Sequence, residues 1–232
     1  MSFSSFETFL KSLNPFPVLG KHISKESYIP LDLSIHNTEL KTVDVSSSSD
    51  LETYIWQYIK TQNARVAYGG YLEQRGIYQR SDYFNASQTE QSQQEERNIH
   101  LGIDLWIEAG SPIYAPLRGE IHSFKNNTNY GDYGPTIILK HHIEDKTFYT
   151  LYGHLSLDSI EHLKVGVEVK QGEQIATLGK AEVNGDYPPH LHFQIIKDIQ
   201  DYTGDYPGVS SAKHLEFYKE NCPDANLLLK LI

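Results

Sequence analysis

The chain has 232 residues, a mass of 26.5 kDa and a formal net charge of −10, with 39% hydrophobic and 22% charged residues. Such a chain is long enough to bury one full hydrophobic core, and its composition is that of an ordinary soluble globular protein. The negative charge argues against electrostatic binding to nucleic acid or to an anionic membrane, and no stretch approaches the roughly 18 consecutive apolar residues that a membrane span needs.

The first hundred residues predict a small mixed α/β region. Apolar residues at helical spacing indicate a short helix that ends at Asn14 and Pro15, and a polar run beginning at Ser46 precedes a second amphipathic helix. The predicted elements are a helix over 3–13, strands over 28–35 and 40–45, and a second helix over 51–62 that Ser49 or Asp50 caps.

Two further N-terminal segments have unusual compositions. Residues 66–83 are rich in tyrosine, glycine and charge, which suits a ligand-facing ribbon and a surface hairpin equally well. Residues 86–96, ASQTEQSQQEE, are polar and low in complexity. We expect them to form an exposed and mobile loop.

From residue 99 onward the pattern is that of short alternating strands separated by Gly, Pro, Asn or Asp, which is typical of an antiparallel β-sandwich or a partly open barrel. The predicted strands are 99–107, 112–114, 119–124, 136–141, 148–154, 168–169, 174–178 and 190–196. One or two helical turns are predicted at 157–163, and the tail segments 212–218 and 226–232 are helical or form an added edge. The predicted organisation is an N-terminal region, 1–97, packed on a central domain, 98–200, with a C-terminal extension, 201–232.

The segment His190-Leu191-His192-Phe193 lies in the last of these strands. Because side chains alternate along a strand, His190 and His192 point to one face and Leu191 and Phe193 to the other. The two imidazoles then lie roughly 6–7 Å apart along the strand. This spacing allows one of them to bind a metal and the other to contact what the metal binds.

A second pair, His100 and Asp104, has an even spacing that places both side chains on one face of a strand, and the same spacing would also align them on a helix. With His192 they supply two imidazoles and one carboxylate. That is the set expected for a catalytic zinc ion that keeps a fourth position open for water. The remaining candidates are interpreted as ordinary surface or core histidines: His36, His122, His141, His142 and His162.

Six segments follow one another over residues 100–196: HLGID, GSPIYAPLRGEI, YGPTIILKH, FYTLYGHLS, VGVEVKQGEQIATLG and HLHFQ. In this order they resemble the lysostaphin/LytM-type zinc metalloendopeptidases, and HxxxD and HxH are the specific parts of the likeness. The resemblance implies a compact antiparallel β fold with a substrate groove. It also implies that residues 98–200 form the zinc metallopeptidase domain.

The resemblance also assigns roles to five residues through the motifs in which they lie. His100, Asp104 and His192 would be the zinc ligands, and His154 and His190 would lie next to the metal-bound water, where a neutral histidine can act as a base. The structural alternative for His154 and for His190 is a buried, hydrogen-bonded histidine.

Two departures concern the substrate. Family members that cut cell-wall peptides commonly have a Gly-, Ser- and Thr-rich loop before HLHF and a glutamate after it, whereas this chain has 182–189, EVNGDYPP, and Gln194. The segments GGYLEQRGIYQRSDYF, RNIHLGID and YPGV…NCPDANLLL resemble a subgroup of unsecreted proteins and of domains fused to phosphotransferase and aminotransferase modules. These features weaken a cell-wall role.

Four polar residues of this subgroup-like sequence are candidates for the groove, because an arginine can hold a carboxylate or phosphate through two parallel hydrogen bonds. Surface or structural salt bridges are the alternative for each. The candidates are Tyr71, Glu73, Arg75 and Arg97.

The sequence therefore predicts a zinc-dependent metalloendopeptidase or amide hydrolase that cleaves a short or glycine-containing peptide bond through a metal-activated water. The alternatives are a metal-retaining binding module without turnover and a hydrolase of a small amino-acid-derived or phosphorylated metabolite. The expected partner is a peptide or peptide-like small substrate, and neither nucleic acid nor a membrane is expected. With a single cysteine, Cys222, and no recognisable signal peptide, the expected location is the cytoplasm, and the oligomeric state stays open.

Overall fold

A computed structural model of the chain describes residues 5–81, 84 and 96–231. The described part is mostly β, with one eight-stranded sheet and two two-stranded sheets, so the predicted fold class is confirmed. The strands are β1 (Tyr28–Pro30), β2 (Val66–Gly69), β3 (Arg97–His100), β4 (Ile103–Trp106), β5 (Pro112–Tyr114), β6 (Gly119–Asn127), β7 (Gly134–Ile143), β8 (Lys146–Gly153), β9 (Glu168–Val169), β10 (Gln174–Thr177), β11 (His190–Ile196) and β12 (Val209–Ser211). The helices are α1 (Ser5–Ser12), α2 (Ser48–Thr61), α3 (Asp158–Glu161), α4 (Leu215–Asn221) and α5 (Asn226–Leu229).

The large sheet has the strand order β1-β2-β4-β11-β8-β7-β6-β9. Its strands pair antiparallel except for β1 and β2, which pair parallel. The N-terminal strand β2 pairs directly with β4, and the C-terminal strand β12 pairs with β3. Both flanking regions therefore share sheets with the middle of the chain, and the predicted division at residues 97 and 200 stays a prediction.

The central strand β11 separates the hydrophobic core from the polar site. All seven of its residues are buried, and Leu191, Phe193 and Ile195 belong to the main apolar cluster. His190, His192 and Gln194 point to the opposite face, as the alternation of a strand requires. The strand bounds are those that the sequence predicts.

The predicted strand over 99–107 is interrupted between β3 and β4. A Cβ atom at Gly102 would lie 2.6 Å from the His192 ring, so the chain passes that histidine only with a glycine at this position. The interruption lets His100 approach the strand pair from a separate two-stranded sheet while Asp104 stays within the large sheet.

Two N-terminal predictions are wrong in detail because local side chains cap turns. The strand predicted over 40–45 is instead a 3-10 turn at Thr38–Thr42, where the Asn37 side chain accepts a hydrogen bond from the Glu39 amide. The strand predicted over 28–35 ends at Pro30, and the Asp32 carboxylate accepts from the Ser34 amide in the following turn.

The two predicted N-terminal helices are present. The helix predicted over 3–13 is α1, Ser5–Ser12. The helix α2 begins at Ser48, and its N-cap is Ser47, whose hydroxyl accepts from the Asp50 amide, rather than Ser49 or Asp50. Leu51, Ile55 and Ile59 form its buried face.

The tail is helical over α4 and α5, which settles the alternative left open for it. Residues 86–95 of the predicted mobile loop lie outside the described residues. Within the described part, no helix has the length and apolar character needed to cross a bilayer.

Candidate metal centre

Strands β4 and β11 bring the predicted ligands together. They pair antiparallel with Asp104 opposite His192, and β3 supplies His100 from the side. The His100 Nε2 atom lies 2.8 Å from His192 Nδ1, and the Asp104 Oδ1 atom lies 3.3 Å from the first and 3.2 Å from the second. The structure therefore places three potential ligand atoms around one point, with all three side chains buried.

Each histidine ligand is held in one tautomer by its second ring nitrogen. His100 donates from Nδ1 to the Gly70 carbonyl at 2.9 Å, which leaves Nε2 as the free electron pair. His192 donates from Nε2 to the Gln194 Oε1 atom at 2.9 Å, which leaves Nδ1 free. Such partners fix ring orientation in metal sites and raise ligand basicity.

Gln194 performs this task in place of the glutamate that is common in the resembling family. Its amide nitrogen donates to the Pro207 carbonyl at 3.1 Å, so the oxygen must face His192. An amide oxygen accepts the imidazole hydrogen as a carboxylate oxygen would, without adding a buried negative charge. The departure at this position therefore leaves the ligand geometry intact.

Asp104 is the charged member of the set. Its Oδ2 atom accepts from Arg75 Nη1 at 2.5 Å, while Oδ1 faces the histidines. Burial would raise the pKa of this carboxyl, but His100 and Arg75 hold it well below its usual range. Burial lowers the pKa of His100 to about 3, so the site combines an ionised carboxylate with a neutral imidazole at neutral pH.

His154 and His190 face the same site from one side. Each donates from Nδ1 to a backbone carbonyl at 2.7 Å, His154 to Asn184 and His190 to Pro188, so each has Nε2 free. Their ring centroids lie 4.2 Å apart, and His190 Nε2 lies 3.7 Å from Asp104 Oδ1. Burial lowers the pKa of both imidazoles, which makes both neutral bases at neutral pH.

The backbone at His154 is held in the left-handed region, with φ of +63°. A non-glycine residue there costs about 1–3 kcal/mol and persists only where its surroundings impose it. Here the His154 amide donates to the Tyr133 carbonyl, and the His154 carbonyl accepts from the Gly179 amide, each at 2.9 Å. The turn directs the imidazole toward His190 as β8 ends.

The donor set fits zinc. Two imidazole nitrogens and one carboxylate oxygen are the donors that zinc accepts in catalytic sites, where a fourth position stays open. His100 and Asp104 are each held on their other side by a protein group, and His192 by Gln194, as a preformed metal site requires.

A cavity of about 180 Å³ opens onto the site, and parts of the chain on either side of the central strands form its walls. The N-terminal wall consists of Leu33, Leu51, Ile77, Tyr78 and Phe84. The C-terminal wall consists of Tyr202, Tyr206, Pro207, Gly208 and Val209. Parts of the chain before and after the central strands thus both line the cavity at the metal site.

The four predicted groove residues all contact protein groups. Tyr71 donates to the Cys222 carbonyl at 2.9 Å, and Glu73 accepts from Arg75 and from the Leu33 amide. Arg75 and Arg97 line the cavity, and Arg97 also donates from Nε to the Val209 carbonyl at 2.9 Å. A role for these four residues in substrate binding stays a prediction.

The sequence reasoning missed three aromatic residues at the site. The Tyr133 hydroxyl lies 3.5 Å from His192 Nε2, Tyr187 packs edge-on against His154, and Trp106 stacks on His190 with centroids 5.8 Å apart. A signal for Trp106 was present: once Asp104 is placed opposite His192, the antiparallel register puts Trp106 opposite His190.

Residues 98–204 match the sequence profile of Peptidase family M23. The match contains the three ligands and both further histidines, which confirms the lysostaphin/LytM-type resemblance at the level of the family. The matched region thus resembles the M23 metallopeptidases and holds a candidate His-Asp-His metal site.

Two curated relatives and one solved structure illustrate the match. An uncharacterized metalloprotease of Haemophilus influenzae is 30% identical over 48% of this chain and 22% of its own length. The peptidoglycan DD-endopeptidase ShyC of Vibrio cholerae is 34% identical over 42% of this chain and 20% of its own length. A zinc-containing peptidase from Vibrio cholerae is 29% identical over 42% of this chain and 27% of that chain, with a TM-score of 0.35. The chain spans about a fifth of the length of the two curated relatives.

Proposed function

We propose that this chain is a zinc-dependent metalloendopeptidase that hydrolyses a peptide bond in a short or glycine-containing peptide. The observation that carries the proposal is the convergence of five buried side chains on one site. Three of them present metal-binding atoms, and the other two, His154 and His190, present unprotonated Nε2 atoms beside them. A domain that only bound ligands would have no need to retain this second pair.

The two histidines supply the proton transfers of such a hydrolysis. Zinc, when bound by His100, Asp104 and His192, acts as a Lewis acid that activates a water molecule and polarises the scissile carbonyl. The neutral Nε2 atoms of His154 and His190 can accept the proton of the attacking water and return it to the leaving amine. A histidine protonated in this way also stabilises the negative charge that develops on the carbonyl oxygen.

The substrate is proposed from the relatives and from the cavity. The peptidoglycan DD-endopeptidase activity of the Vibrio cholerae relative ShyC supports a peptide of the kind found in peptidoglycan cross-links. The cavity of about 180 Å³ favours a short peptide over an intact polymer, because it can enclose a small fragment.

A second candidate is a hydrolase of a small amino-acid-derived conjugate. The two-walled cavity favours it, and so does the resemblance of the flanking segments to the unsecreted, module-fused subgroup. Both candidates use the same five residues and differ only in what fills the cavity.

Hydrolysis assays on the purified, zinc-loaded chain test the proposal. The substrates are glycine-containing peptides, soluble muropeptides, intact peptidoglycan and small γ- and α-linked amino-acid conjugates. We expect cleavage of soluble peptides or muropeptides that is lost on chelation, restored by zinc and absent in His192→Ala. Cleavage of the small conjugates alone would favour the second candidate, and no zinc-dependent cleavage of any substrate would contradict the enzymatic proposal.

A further inference from the structure

The short segment from Gly70 to Arg75 precedes the family-matched region 98–204 and contacts two of the three proposed ligands. Its backbone is fixed along β3. The Leu72 amide donates to the His100 carbonyl, and the His100 amide donates to the Glu73 carbonyl, both at 2.9 Å. The segment is therefore held at the metal site by main-chain hydrogen bonds, independently of its side chains.

Arg75 links the ligand Asp104 to a second acid, Glu73, whose side chain is 11% exposed. Its Nη1 atom donates to Asp104 Oδ2 and its Nε atom to Glu73 Oε2, each at 2.5 Å, and its side chain is only 5% exposed. The other Glu73 oxygen accepts from the Leu33 amide at 3.0 Å. The result is a row of alternating charge, in which the buried Arg75 lies between two carboxylates.

Gly70 leaves the room that this arrangement needs. Its φ of +110° lies in a region that favours glycine, and a Cβ atom there would overlap Arg75 Nη2 and lie 2.7 Å from His100 Nδ1. Nη2 is buried against this glycine without a hydrogen-bond partner among the described residues. Each two-donor fork of a guanidinium pairs Nη2 with either Nε or Nη1, and both of these are already used, by Glu73 and Asp104.

We infer that Arg75 is the internal counter-ion of the metal centre, a positioning residue that acts on the metal through Asp104. It fixes Oδ2 so that Oδ1 faces the two histidines, and it compensates the buried Asp104 charge when the site holds no metal. Arg75 thus preforms the site, but it also lowers the metal affinity, because a guanidinium and a metal cation on opposite sides of one carboxylate repel each other. This inference rests on the zinc site proposed above, and it assigns Arg75 to the metal rather than to the substrate.

The test is the zinc affinity of Arg75→Met, measured by competition with a chromophoric chelator at neutral pH. Loss of the repelling charge is expected to tighten zinc binding by about tenfold or more. A residue that only orients a ligand gives the opposite sign, since losing such a partner typically weakens metal binding by about 10–100-fold. Unchanged or weaker binding in folded Arg75→Met overturns the inference.

Two matched variants complete the test. Arg75→Lys keeps the positive charge, so its zinc affinity is expected to stay near that of the unsubstituted protein, and tightening in this variant would contradict the role of charge. Arg80→Met removes another buried arginine, whose carboxylate partner is Asp186 and not a metal ligand. We expect unchanged zinc affinity there, and tightening would show that Arg75→Met has no specific effect.

If Arg75→Met fails to fold, the zinc affinity of Glu73→Gln tests the counter-ion role instead. This substitution keeps the shape and the acceptor for the Leu33 amide but removes a negative charge, so zinc binding should weaken; unchanged or tighter binding overturns the inference. A failure of the unsubstituted protein to bind zinc would contradict the proposed function itself. Normal zinc binding with no change in Arg75→Met contradicts the counter-ion role alone.

Discussion

The strands β4 and β11 and the regions that flank the M23 match contribute to the same site in different ways. The strands carry Asp104, His190 and His192 in a fixed antiparallel register, so the chemistry follows from two short motifs and the alternation of a strand. The flanking regions contribute Gly70 and Arg75, which hold the ligands, and both walls of the cavity apart from Tyr202. The strands thus determine which reaction the site can perform. The flanks determine how the metal-binding residues are held and which substrates fit the cavity.

The largest effect should come from the histidines that bind no metal. His190→Ala or His154→Ala is expected to lower kcat by about 10²–10⁴-fold, because the proton transfer loses its base, while zinc stays bound. Steady-state kinetics and zinc content of the purified variants measure this. His142→Ala, an exposed histidine hydrogen-bonded to Thr147, is the matched control and should leave both unchanged. Normal turnover in His190→Ala would remove that residue from the mechanism.

A cavity-forming change in a flank should affect the fold and not the metal. Leu51 of α2 is 3% exposed and lines the cavity, so Leu51→Ala should lower the free energy of unfolding by about 2–5 kcal/mol. Denaturant titration measures this loss, and chelator competition on the folded variant should give unchanged zinc affinity. A large change in zinc affinity would contradict the assignment of Leu51 to the cavity wall alone.

The third prediction concerns the partner of His192. Gln194→Leu removes the acceptor for Nε2 and should weaken zinc binding by about 10–100-fold, because the imidazole is no longer held in its ligand tautomer. Gln194→Glu restores an acceptor and should bind zinc more tightly than Gln194→Leu. Equal affinities in the two variants would mean that this hydrogen bond does not position the ligand.

The smallest effect per residue is a dependence of stability on pH in the metal-free protein. Burial lowers the pKa of His100 to about 3, that of His141 to about 4, and that of His154 and His190 below the usual value. These imidazoles bind protons more readily in the unfolded chain than in the folded one. Their contribution to the free energy of unfolding is therefore complete above about pH 6.5, and it is lost as the pH falls toward the folded pKa values. Each group adds a slope of up to about 1.4 kcal/mol per pH unit.

Denaturant titrations of chelated protein between pH 7.5 and pH 5 measure this slope. His141 lies away from the metal site, and His141→Gln should reduce the slope of the unfolding free energy against pH by the contribution of one imidazole. A stability independent of pH over this range would contradict the assignment of these imidazoles as neutral and buried.

The site was predictable from sequence where short motifs carry it. Strand β11 has the predicted bounds. The placement of His154 and His190 came from the family resemblance and agrees with the cluster found in the structure. What each of them does in the reaction stays a prediction.

The flanks were less predictable because their structure depends on local caps and distant contacts. Asn37 closes a turn where alternation indicated a strand, and Ser47 starts α2 earlier than its apolar pattern suggests. The contact of Arg75 with Asp104 joins residues 29 positions apart, and it follows from the pairing of β2 with β4, which no local pattern encodes. The sequence therefore identified Arg75 as a candidate for the groove. It could not show whether Arg75 contacts the substrate or a metal-binding residue.

The most direct test of the account is calorimetric titration of zinc into the metal-free protein, with His192→Ala alongside. The account predicts one tight site per chain, lost in His192→Ala while the variant keeps its fold by circular dichroism. Absence of zinc binding by the unsubstituted protein, or equal binding by His192→Ala, would contradict the claim that His100, Asp104 and His192 form the metal centre.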